Sequence, residues 1–278
     1  MSAARLLGVG FHDRPSPRRP IWLAHGLARG GALDLAGFEP AGNLAQFAQL
    51  LAAPGPWLGV FDFPLGLARE LVEERAWPLS WEQLVAFVER LGRAALEENL
   101  REFCDARPRR RRFALRATER VAGAGPAMGR LGTRHALRFQ AGAPRLLAAG
   151  VTIPGVWSGD GQRVALEGNP ALAAAAVTRG AWRSGVRRGR ADVRELERER
   201  LVDALERGQL AAGVRLRITA ADRAAVIADD RGSRLAALLC LAQAQWARHQ
   251  DNWGLPAQCD ALEGWIVVAD LPPSATAP

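Results

Sequence analysis

The sequence contains no lysine and no tyrosine, and it has only three cysteines. Cys104, Cys240 and Cys259 are odd in number, far apart and never spaced CxxC. A disulfide framework and a structural zinc site are therefore not expected. No apolar run reaches the roughly eighteen residues of a membrane span. The opening stretch MSAARLLGVGFHDRPSP has too short an apolar segment, and no small-residue cleavage site, for a secretory signal. A cytoplasmic protein without membrane contact is the expectation. Histidine is scarce too: four residues, none in HxH or HxxxH spacing. His12 and His135 stand as isolated candidates for a ligand or an acid–base group, against the commoner structural role. No serine is framed as GxSxG, and GVGFHD lacks the later glycine and helix start of a phosphate loop.

Because lysine is missing, all 37 basic residues are arginine, and the net charge is +8. Wholesale loss of one residue type fits genome-wide base composition better than selection at a site. Arginine nevertheless pairs bidentately with phosphate, so the excess suits a polyanionic partner such as DNA or RNA. The most basic stretch is RPRRRRFALRATER at 107–120. There Arg109, Arg110, Arg111, Arg112, Arg116 and Arg120 are candidate phosphate contacts, with Phe113 free to stack on a base. The competing reading is a solvated loop whose arginines pair with the acidic segment 97–105.

Hydrophobic residues make up 49% of the chain and charged residues 24%, an ordinary globular balance. RLLGVGF (5–11) and PIWLAHGL (20–27) read as two strands joined by a turn-rich link. NLAQFAQLLAA (43–53) has helical spacing with Asn43 as N-cap. A strand at 57–63 precedes a long amphipathic helix opened by Ser80 and Gln83 in capping-box spacing. Residues 105–163 look irregular, with a short helix near 143–149. RVALEGNP (163–170) reads as a strand running into an Ala-rich segment, and helices are expected near 191–207 and 232–250. GWIVVADL (264–271) reads as a final strand, and the tail 272–278 as disordered. Strands alternating with helices indicate an α/β domain, with an antiparallel first hairpin at one edge. No linker divides 1–271, which is taken as one domain with an Arg/Gly/Pro-rich insertion near 105–163.

Two carboxylates close apolar strands: Asp62 after WLGVF, and Glu167 after VAL. Ligands of open α/β sheets gather beyond the C-terminal strand ends. Two acids there could share one Mg²⁺ or Mn²⁺, with water and substrate phosphate completing the shell. The bland alternative has Asp62 capping a helical turn and Glu167 pairing with an arginine.

The segments VFDFPLGL, FALRATERV, ALEGNPALAAA, GSRLAALLCLAQAQWA and NWGLPAQCDALEGWI occur in this order. In this the chain resembles the predicted-nuclease family catalogued as domain of unknown function 429, itself similar to RNase H-like nucleases. The likeness spans roughly residues 5–271. It implies an RNase H-like mixed sheet flanked by helices and a metal-dependent phosphodiesterase, with Asp62 and Glu167 as catalytic and metal-binding residues. Two departures count against full activity. The family's first strand usually carries Asp where this chain has Gly10, and its last long helix reads LDA where this chain has Leu235-Ala236-Ala237. Neither His12 nor Asp229 is placed to substitute, since each falls well away along its element. The expectation is a weak or degenerate nuclease, or a catalytically inactive pseudo-enzyme that binds nucleic acid or a nucleotide.

Overall fold

A computed structural model describes residues 5–29, 32–129, 135–183, 191–210 and 213–270. Three consecutive strands, β1 (Arg5–Gly10), β2 (Ile21–Arg29) and β3 (Ala32–Ala41), pair antiparallel. β4 (Trp57–Phe61) joins β1 in parallel, β5 (Arg163–Glu167) joins β4 in parallel, and the short β6 (Arg215–Arg217) runs parallel beside β3. The six strands are ordered β5-β4-β1-β2-β3-β6. The result is a mixed sheet flanked by helices, an RNase H-like arrangement. The antiparallel pairing of the first hairpin and the placement of the 57–61 strand beside β1 agree with the sequence reading, but the hairpin lies at the centre of the sheet and not at an edge, because β3 and β6 extend the sheet beyond β2.

Alternation along the central strands separates two apolar cores. Leu7, Val9 and Phe61 face one side, where Phe47 of α1 (Leu44–Leu51), Leu84 of α3 (Trp81–Leu91) and Phe139 of α6 (His135–Ala148) cover them. Leu6, Val60 and Leu166 face the other side, beneath Leu201 of α8 (Ala191–Arg207) and Leu238 of α10 (Ser233–Ala247). β1 and β4 are buried on both faces, so their sequences run apolar without alternating. Among the described residues no helix is long and apolar enough to cross a membrane.

Local chemistry explains most boundaries. The Asn43 side chain accepts the Gln46 N–H and opens α1, and Ser80 does the same for Gln83 at the start of α3. The expected long helix after Ser80 is instead two, because Gly92 adopts φ +76° between α3 and α4 (Arg93–Asp105). The stretch 105–163 is also less irregular than its composition suggests. It holds the 14-residue helix α6, in which Gly142 leaves room for the Phe63 ring; a Cβ there would lie 2.6 Å from ring atoms. The expected last strand is a single bridge, Ile266 to Glu167, followed by turns through Asp270. The tail 272–278 lies outside the described residues.

α10 lies directly against β1. A Cβ at Gly8 would lie 2.0 Å from the Ala237 carbonyl oxygen, and one at Gly10 2.1 Å from that of Ser233. No side chain fits either position without moving the helix. Gly10→Ala should therefore cost about 2–3 kcal/mol, at the upper end of overpacking, and Gly10→Asp more. Urea unfolding of the natural protein and Gly10→Ala, with an exposed Ala171→Gly control, checks this; equal midpoints for natural and Gly10→Ala proteins would contradict the packing.

Candidate functional site at the strand tips

The C-terminal ends of β1, β4 and β5 lie side by side, and the pairing Val9 to Phe61 to Glu167 aligns them. Asp62 continues the ladder through its N–H to the Val9 carbonyl at 2.9 Å. By alternation Glu167 springs from the face of Ala165 and Phe61, and Asp62 from the face of Val60 and Leu166. The two acids border one cavity of about 30 Å³, together with Arg116, Glu119, His135 and Arg138.

Each acid is already held by arginine. Arg116 is 1% exposed and grips Glu167 with two bonds, Nη2 to Oε1 at 2.5 Å and Nη1 to Oε2 at 2.7 Å. Its Nε donates to Glu119 Oε1 at 2.8 Å, and Nη1 also donates to the Glu263 carbonyl at 2.6 Å. Four of the five guanidinium N–H groups are thus used within protein. Burial opposes the Arg116 charge, but Glu167 and Glu119 outweigh it and its pKa rises. Burial likewise pushes the Glu119 carboxyl up, against the pull of Arg116. Glu167 Oε2 accepts the Leu65 N–H as well, at 2.8 Å.

Asp62 is neutralised from both sides. Arg183 Nη2 donates to Oδ2 at 2.9 Å, and Arg138 Nη1 lies 3.4 Å from Oδ1. Arg138 comes from α6, whereas Arg183 follows Trp182 and stacks 4.3 Å over that ring. Burial, then Arg138, lowers the His135 pKa to about 4, so the imidazole is neutral near pH 7. His12 Nδ1 accepts the Arg14 N–H at 3.1 Å and lies 3.7 Å from Asp13 Oδ1. Among the described residues no cluster of three or more His, Cys, Asp or Glu is arranged to hold a metal ion.

The arginines of the basic run fall into different settings. Arg116 is buried in the ion network, while Arg109, Arg110 and Arg111 sit exposed on a 3-10 turn after α4. Arg112 pairs with Asp105 at 2.6 Å, and Arg107 pairs with Glu70 and Glu74 beside the Phe103 ring. Arg120 is exposed on α5 (Ala117–Ala122).

Sequence reasoning passed over Glu119 and Glu263. The Glu263 carboxylate accepts the Arg69 N–H at 3.0 Å, at the start of α2 (Arg69–Glu74), and the Ala117 N–H at 2.7 Å, at the start of α5. The quoted segments DFPLGL, ALRATER, ALEGNP and ALEGWI thus meet around Arg116. The repeated Leu-Glu-Gly was the available signal for Glu263. Compared with known protein families, curated proteins and solved structures, the chain matches none of them.

Two outcomes test this electrostatic account. Arg116→Met would strand Glu119 and Glu167 in the interior, with an expected loss of about 3–5 kcal/mol in denaturant unfolding. A neutral result would remove the network from the stability of the fold. His135 resists protonation in the folded chain, so stability should fall as pH drops from about 6.5 to about 4, by up to about 3 kcal/mol. Above pH 6.5 this contribution is constant. His135→Gln should flatten the urea midpoint across that window, and an unchanged slope would assign the acid sensitivity elsewhere.

Proposed function

We propose that this chain is an RNase H-like protein that binds nucleic acid at its strand tips without cleaving it. The observation that carries the reading is the replacement of cation by arginine: Arg116 holds both oxygens of Glu167, and Arg138 and Arg183 hold Asp62. A two-cation centre would be a poor fit to these residues. Its acids leave opposite faces of the sheet, and the position of a third, at Gly10, is closed by the Ser233 carbonyl. A fourth acid at position 236 is replaced by a buried alanine. With fewer oxygens on offer, a hard cation keeps its water and is held weakly. Arg116 is committed to Glu167 and Glu119, whereas Arg138 and Arg183, about one-fifth exposed, could turn their donors from Asp62 to a phosphate.

The second reading is a weak one-cation phosphodiesterase. It is favoured by the cavity that Asp62 and Glu167 share with the neutral His135. In that reading Mg²⁺ or Mn²⁺ would lie on Asp62 once Arg183 swings aside, and would supply charge neutralisation at phosphate. A cleavage and binding assay decides between them, using labelled single- and double-stranded DNA and RNA with Mg²⁺ or Mn²⁺. Salt-sensitive binding with no cutting is the expected result. Cutting that disappears in Asp62→Asn would install the one-cation enzyme instead. Absence of binding at low salt would overturn both readings.

A further inference from the structure

The sheet edge does not end at the strand-tip acids. Gly10 lies beside Trp22 of β2, and on its other side the ladder continues to Asp62. Two strand spacings of about 4.8 Å place the Trp22 backbone only about 10 Å from that of Asp62. Over Trp22 opens a cleft of about 330 Å³, between the hairpin before β2 and the junction of α9 (Ala220–Ala228) with α10. We propose that this cleft receives one nucleotide of a single-stranded nucleic acid, a base against Trp22 and its flanking phosphates between Arg18, Arg19 and Arg231. The inference rests on the nucleic-acid reading above and locates the binding surface within it.

Charge comes first. Arg18, Arg19, Arg231 and Arg234 line the cleft, and none lies within ion-pair distance of a carboxylate among the described residues. This sets them apart from Arg116, Arg138 and Arg183, whose charge is spent on Glu167, Glu119 and Asp62. The acids of the lining are Asp229 and Asp230, which leaves an excess of positive charge. Asp229 is itself committed to backbone, accepting the Arg231 N–H at 3.2 Å and the Arg234 N–H at 2.9 Å.

The walls are ordered. Arg18 and Arg19 are exposed on a hairpin closed by Ser16 N–H to Arg19 O at 3.1 Å and Arg19 N–H to Ser16 O at 2.8 Å. Arg234 lies 4.0 Å from the Trp22 ring centroid and donates to the Ala225 carbonyl at 3.2 Å. Phe38 meets the same ring edge-on, at 6.1 Å between centroids. Indole and guanidinium are thus fixed in place, the guanidinium over one face of the ring, so that a base would stack on the outer face of this pair.

Size selects the form of the ligand. The volume is at the lower end of the roughly 300–1,000 Å³ of small-molecule sites, enough for one nucleotide unit. A duplex keeps the faces of its bases inside the stack, so only an unpaired base can reach Trp22. A strand seated here would continue toward Asp62, Arg183 and Arg138.

Fluorescence anisotropy with labelled single-stranded 12-mers of DNA and RNA tests the proposal. Arg18→Ala/Arg19→Ala/Arg231→Ala should weaken binding at least tenfold and lower the salt slope by about 2, for three lost phosphate contacts on a single strand. Trp22→Leu should weaken single-strand binding several-fold without changing that slope. Arg109→Ala/Arg110→Ala/Arg111→Ala should stay within about twofold of the natural protein. Circular dichroism checks that each variant folds. If the natural protein binds but the cleft variants match it within twofold, the cleft is wrong and the nucleic-acid reading survives. If the natural protein binds no nucleic acid, both fail together. A mononucleotide that binds as tightly as the 12-mer would overturn the strand assignment in favour of a nucleotide pocket.

Discussion

One buried guanidinium organises the strand-tip end of this protein. Arg116 reaches Glu167 at the end of β5, Glu119 in its own helix and the Glu263 carbonyl near the C-terminal segment. These partners lie 51, 3 and 147 residues away along the chain, so the contact closes long loops as well as neutralising charge. A charge so deep is tolerated only when its donors are matched, and here nearly all are. The Glu263 carboxylate then receives the N–H groups opening α2 and α5. The Thr118 hydroxyl accepts the Ile266 N–H at 3.0 Å, tying the last segment down. A change in Arg116 would therefore be felt by at least three segments at once.

The same network alters the meaning of a strand-tip carboxylate. An acid at the end of a parallel strand is well placed for a cation, yet Glu167 is bound from the interior by a group that cannot lose its proton. Asp62 differs, because its partners Arg138 and Arg183 are about one-fifth exposed and can exchange with solvent or with an anion. Exposure, more than proximity, separates the structural acid from the one open to ligand. The glycines of β1 reinforce this division. Gly8 and Gly10 let α10 lie directly on the strand, and that contact occupies the space a catalytic acid at position 10 would need. Close helix packing and a first-strand carboxylate are thus alternatives in this fold.

Much of the architecture was legible because burial leaves a pattern. The apolar runs of β1, β4 and β5 and the caps at Asn43 and Ser80 placed those elements within a few residues. β3 was missed: ALDLAGFEPA mixes small, acidic and Pro residues, and its strand character comes from pairing with β2 rather than from propensity. α6 was misjudged because Gly142 and Pro144 count against a helix locally, whereas contact with Phe63 and the α1–α3 core supports it. GWIVVADL is rich in β-branched residues, and its residues 266–269 are buried, yet among the described residues it forms only one bridge, since burial alone satisfies the pattern. For the strand tips, sequence supplied Asp62 and Glu167 but not their partners. Arg116, Arg138 and Arg183 stand 51, 76 and 121 residues from the acids they hold, and composition gives no pairing rule for 37 equivalent arginines.

With arginine as the sole strong base, the densest run of it is not the least committed one. Along 107–120 the charge is divided among three environments: Arg116 in the interior, Arg107 and Arg112 against surface acids, and Arg109–Arg111 on an open turn. Surface pairs contribute little to stability but do reduce the field that a polyanion meets. Phe113, the ring next to this turn in sequence, is partly buried and packed against the core. Arg18, Arg19, Arg231 and Arg234 are scattered in sequence, yet the β1–β2 hairpin and the α9–α10 junction bring them around Trp22. For a flexible anion, charge held on two sides of an aromatic floor restricts more of its freedom per contact than charge on a convex turn. On the proposed reading, binding would depend on which arginines are left without a carboxylate partner after folding, a property of pairing that no count of residues contains.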